Sequence, residues 1–161
     1  MSVFTSFITE TIPVPGDPGQ TVTIRKLAPK HLRAAMAKSQ RDALLEFAEL
    51  KRLGASDVVA DIQALQKDTT GIAEARAADP LLLYDRTVLL QKGIIGWTYG
   101  QSHDDPEVLD DLDDEVSYHL ARAILRLTKP GLFAGEDAGA KTAEMIATAV
   151  ADAQEADRKN D

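Results

Sequence analysis

The residues of this chain able to do chemistry are few and scattered. Its three histidines, His31, His103 and His119, include no pair at the i, i+4 spacing that sets two ligands on one helix face. With no cysteine, a structural zinc site lacks its usual donors. His119 has the plainer reading of a helix-surface residue one turn from Glu115. The densest charge feature is the run Asp104, Asp105, Glu107, Asp110, Asp111, Asp113, Asp114 and Glu115. Spaced carboxylates can hold calcium, but this run lacks the central glycine and the closing glutamate of a calcium loop. Helix capping and solvation account for it, as does an electrostatic docking face for a basic partner formed by Asp110, Asp111, Asp113 and Asp114. No serine lies in a G-x-S-x-G turn, and the glycines near Trp97 follow neither G-x-G-x-x-G order nor precede a Lys-Ser/Thr pair. The expectation is a chain that is not an enzyme and uses no cofactor or metal.

Large side chains offer a second kind of chemistry, recognition. Trp97 and Tyr99 have two readings, core anchors or interface hot spots, because amphipathic rings are enriched in both settings. Phe4 and Phe7 carry the same ambiguity between strand core and exposed edge. All four join Asp110, Asp111, Asp113 and Asp114 as candidate partner-binding residues.

These side chains need elements to hold them. From Val3 to Val14, and again from Thr21 to Leu27, β-branched residues dominate, with Val22 and Ile24 on one face. Pro15-Gly16-Asp17-Pro18-Gly19 between them is a dense turn signal, so a β-hairpin is predicted. A lone two-stranded ribbon is marginal in water and must pack on helices or join another sheet. Pro29 suits the first turn of a helix whose apolar positions, Leu32, Met36, Ala43, Phe47 and Leu50, run to about Leu53 before Gly54. Ser56 caps a second helix with Val58, Ile62 and Leu65 on one stripe, its far end through Thr69, Thr70 and Gly71 left open.

Asp79-Pro80 starts a third helix carrying Leu81, Tyr84 and Val88 and ending near Lys92-Gly93. Gly93, Gly96 and Gly100 then bracket Ile94, Ile95, Trp97 and Tyr99 in what reads as an ordered loop. Asp105-Pro106 opens a short turn, and Asp110 or Asp113 caps a last core helix with Val116, Leu120, Ile124 and Leu127, stopped by Lys129-Pro130-Gly131. The fold class is mainly α: an N-terminal β-hairpin (1–28) packed on a bundle of about four helices (29–133), then a Gly/Ala-rich linker and a weakly ordered or helical C-terminal tail (134–161).

Composition agrees with that layout. The 161 residues suit one core, and 44% apolar with only 5% aromatic residues favours helix packing over a sheet sandwich. Lysine and arginine number 18 against 26 aspartates and glutamates, a formal charge of -8 that repels nucleic acid. Thr5, Ser6, Thr9 and Glu10 interrupt any secretory signal, and no run nears the roughly 20 apolar residues of a membrane span. A cytoplasmic protein without nucleic-acid or membrane partners is the expectation.

One combination is familiar. An N-terminal extended segment leads to Val22-Thr23-Ile24-Arg25-Lys26-Leu27, a long helix follows, Gly96-Trp97 comes after a leucine-rich helix, and a late helix reads Leu120-Ala121-Arg122-Ala123-Ile124-Leu125-Arg126-Leu127. Over roughly Phe4 to Phe133 this layout resembles the tail assembly chaperones of long-tailed bacteriophages and prophages, small acidic helical proteins that hold the tape measure protein during tail building. The resemblance implies several self-associating copies that coat an apolar helical client, in the bacterial cytoplasm and without ATP, until tail tube subunits replace them. It also implies that a longer, frameshifted form would depart from the segment after Phe133. The alternative in the same setting is a structural tail or head–tail connector subunit retained in the particle. A further alternative is a small ligand-binding or regulatory domain with its pocket at the Trp97 loop.

Overall fold

The computed structural model describes residues 8–135. The expected hairpin forms, with β1 (Thr9–Pro13) antiparallel to β2 (Thr21–Arg25). Its connection is two successive tight turns. Asp17 N–H donates to Val14 O at 3.3 Å and Gln20 N–H to Asp17 O at 3.1 Å, with proline at the first central position and glycine at the second. Gly16 (φ 76°) and Gly19 (φ 99°) supply the positive φ that type II turns demand there. Alternation then sorts β2, with Val22 and Ile24 fully buried and Thr21, Thr23 and Arg25 only half-buried.

A third strand corrects the expected loop. Ile94–Trp97 is β3, antiparallel to β2 in a sheet of order β1-β2-β3. Val22 faces Trp97, Thr23 faces Gly96 and Ile24 faces Ile94, so Ile95 is the extra residue of a bulge. Glycine had marked this stretch as irregular, but no atom lies within 4 Å of where a Gly96 Cβ would stand, and the pairing comes from β2.

The helices start and stop by local chemistry. α1 (Pro29–Arg52) has proline in its first turn and closes in a Schellman motif, Gly54 N–H to Lys51 O and Ala55 N–H to Leu50 O, both at 3.2 Å, with Gly54 at φ 73°. α2 (Ser56–Lys67) follows, and the stretch left open becomes α3 (Thr69–Ala78), capped by the Asp68 side chain. The single third helix expected from Asp79 is instead two pieces, a 3-10 turn at Pro80–Leu83 and α4 (Arg86–Gly93). The break has a tertiary cause. Asp85 N–H donates to Ala35 O of α1 at 3.0 Å, and the Asp85 carboxylate both caps Val88 N–H and binds Lys38 at 2.6 Å. A continuous helix would need that N–H for its own ladder. α5 (Pro106–Asp110) and α6 (Asp114–Thr128) complete the set, and Asp113 rather than Asp110 caps α6.

α6 lays Leu120, Ala121, Ile124, Leu125 and Thr128 against α4, with Leu89 and Leu90 opposite and Val22, Ile24 and Leu27 also fully buried. Each fully buried aliphatic side chain contributes about 1.5–3 kcal/mol, whereas solvent screening leaves an exposed ion pair such as Arg52–Glu49 little to add, so this layer dominates stability. Two contacts in it allow little freedom. Thr128 Oγ accepts from the buried Leu27 N–H at 3.0 Å while donating to Ile124 O at 2.7 Å. At the junction of α4 and β3, a Cβ on Gly93 would stand only 2.6 Å from Ile124 Cδ1. The chain divides after Thr128 into two units. The described part of the second is a 3-10 turn, Pro130–Phe133, and the two residues beyond it. The expected C-terminal tail lies outside the described residues, as does most of the linker.

Thr128→Val strands the Leu27 N–H in an apolar setting and should cost about 1–3 kcal/mol in chemical denaturation, whereas Thr128→Ser keeps the hydroxyl and should cost under about 1 kcal/mol. Gly93→Ala should cost about 1–3 kcal/mol by overpacking, and combining it with Ile124→Val should cost less than the sum of the two single changes.

Candidate functional site

At the end of β3 the chain folds back on the hairpin. Thr98 N–H donates to Thr21 O at 3.1 Å, and Thr21 N–H donates to Thr98 Oγ at 2.8 Å. This pair of hydrogen bonds fixes the start of the loop that follows. Trp97 Nε1–H donates to Gln101 O at 2.7 Å, and the indole meets Tyr99 edge-on at 5.4 Å and His103 edge-on at 6.2 Å. The Tyr99 hydroxyl donates to Asp17 Oδ2 at 3.2 Å, joining the loop to the hairpin turn. Both rings are half-buried and lie outside the fully buried core.

They line a groove of about 620 Å³ with Val14, Val108, Leu112 and Val116 among its apolar walls. Its rim carries Asp17, Asp111, Asp113 and Glu115. The acidic run is thus divided by the fold. Asp110 accepts from the Thr87 hydroxyl at 3.1 Å, and Asp114 pairs with Arg86 at 2.7 Å, so these two are engaged elsewhere. Asp105 caps α5 through Glu107 N–H. Of the sequence candidates, Trp97, Tyr99, Asp111 and Asp113 come together; Phe4 and Phe7 lie outside the described residues. Asp17 and Glu115 are rim residues that the candidate set missed. Asp17 sits in a turn whose role looked purely conformational, and no local signal ties it to Tyr99.

A second surface carries exposed apolar side chains that the candidate set did not name. Beyond Ala35, α1 has no buried residue, and no described side chain of α2 is buried. Of the expected stripe, Phe47, Leu50 and Ile62 are half-buried, Ala43 is exposed, and the side chain of Leu65 lies outside those described. Leu44 (68%), Leu45 (59%), Leu53 (66%) and Val58 (47%) stand exposed. The signal available was that Leu44 and Leu45 fall off the stripe that packs.

The histidines stay apart. The His31 pKa lies below its ordinary value, through burial first and then the nearby charges of Lys30, Arg25 and Lys92. Among the described residues no group of three acidic or histidine side chains converges to hold a metal ion.

The Tyr99 pKa is raised above 10.0 by burial and then by the bond to, and charge of, Asp17. Asp17→Asn should therefore lower it without returning it fully to that value, since the burial persists, as followed by the Tyr99 ring resonances in an NMR pH titration. Comparison of the chain with protein-family models, with curated proteins and with solved structures gives no match in any of the three.

Proposed function

We propose that the chain is a protein-binding chaperone of the holdase type, which masks an apolar helical stripe on a client and releases it by displacement. The single observation that carries this reading is the surface formed by α1 beyond Ala35, its C-cap and α2, where Leu44, Leu45, Leu53 and Val58 are exposed and no described side chain is buried. Apolar surface of this kind on a small acidic protein serves association, and helix faces with leucines at neighbouring turns suit a helical partner. The formal charge of -8 keeps such a protein soluble while the apolar surface waits. Binding the unassembled client stabilises it by mass action alone, so release needs only a competitor and no nucleotide. The layout resemblance to tail assembly chaperones makes the tape measure protein the proposed client and tail tube subunits the proposed competitors.

The connector subunit remains the second reading because one observation favours it. Among the described residues β1 and β3 are both edge strands, each with a side paired to no described strand on which a neighbouring copy could add.

Co-expression with the tape measure protein, followed by pull-down and analysis of finished particles, separates the two. A chaperone keeps the client soluble and is absent from particles; retention in particles makes the chain structural. Leu44→Asp with Leu45→Asp should abolish client solubilisation while changing stability by no more than about 0.5 kcal/mol per site, because both side chains are exposed. Undiminished client solubility with this variant would remove the leucine surface from the mechanism.

A further inference from the structure

We propose that the Trp97 groove is a second, separate docking site, for a partner-protein segment in which arginine or lysine is flanked by apolar residues. The proposal deepens the protein-binding reading above and rests on it, but it uses none of the exposed leucines of α1 and α2.

Charge complementarity commits the groove to this occupant. Its rim acids arrive from separate places: Asp17 from the hairpin turn, Asp111 and Asp113 from the α5–α6 connection, and Glu115 from the first turn of α6. Among the described residues no lysine or arginine pairs with any of them: Asp17 accepts from the Tyr99 hydroxyl and Asp113 caps α6, neither of which supplies a counter-charge, whereas neighbouring Asp114 is paired with Arg86. The carboxylates do not converge as a metal site would. They share the groove with apolar lining residues and with Trp97, an aromatic ring of the kind that attracts a guanidinium or ammonium and whose N–H is already engaged by Gln101. A bare polyamine would satisfy the rim and leave the apolar lining wet. An apolar segment without cations would leave the rim facing nothing.

Trp97 is the chain's single tryptophan, so its emission reports on the groove alone. The purified full chain is titrated with three synthetic peptides: a leucine-rich peptide bearing arginines, the same peptide with glutamine for arginine, and the same with serine for leucine. The expected result is a saturable shift in Trp97 emission with the first peptide and binding about tenfold weaker or more with each of the others. Asp111→Asn with Glu115→Gln should weaken the first peptide by about fivefold to tenfold. Asp113 is left intact because it caps α6. A silent Trp97, equal binding of all three peptides, or full affinity in the double variant overturns the proposal. The titration contains no client, so a silent groove leaves the co-expression result standing. Conversely, a client that stays insoluble beside a groove that binds the peptide counts against the chaperone reading alone.

Discussion

Everything near the candidate groove depends on how closely α4 and α6 approach at Gly93. There α4 becomes β3 without an intervening loop, and the Ile124 side chain fills the space that any other residue's Cβ would take. Glycine is needed at this position for its missing side chain, not for its φ, since its backbone is helical. The contact sets the height and direction at which Ile94 leaves the helix. The pairing of Ile24 with Ile94 then brings β3 beside β2, and three residues later Trp97 lies opposite Val22. A shift of one residue in that pairing would turn Trp97 to the other face of the sheet.

Two aspartates organise the other side of the core in a related way. Asp79 caps the 3-10 turn through Leu81 N–H, accepts from the Tyr118 hydroxyl at 3.0 Å and lies 3.7 Å from Arg122. Asp85 caps α4 and holds Lys38, whose ammonium is favoured by its bonds to Asp85 and then Asp42. Each carboxylate closes a helix start with Oδ1 and uses Oδ2 to tie it to α6 or α1. Exposed ion pairs contribute little alone, but a cap that also fixes an interhelical distance removes alternatives to the native arrangement.

Local features of this fold were legible in the sequence and distant ones were not. The Pro-Gly turns, Pro29, Gly54 and the cap at Asp113 act through φ or through bonds a few residues long, so residue types announce them. The alternation of Val22 and Ile24 and the stripe of α6 follow from period alone. β3 was hidden because its partner is far away in the chain, as with Thr21 and Thr98, which bond 77 positions apart. The break at Tyr84 was hidden because the group that captures Asp85 N–H belongs to α1. The groove was half legible for the same reason: Trp97, Tyr99, Asp111 and Asp113 lie within a short stretch, whereas Asp17 reaches it only through the hairpin.

The distal part of α1 has a consequence for how this protein can change over generations. Most substitutions harm a protein through its buried positions, and purifying pressure acts chiefly where stability falls below a threshold. Leu44, Leu45, Leu53 and Val58 lie outside that constraint, because the layer of α4, α6 and the sheet holds without them. Their identities are free to vary, while Gly93, Ile124 and Thr128 hold the scaffold to one geometry. Surface character and foldability are thereby encoded in different residues, and one can drift without the other being re-solved.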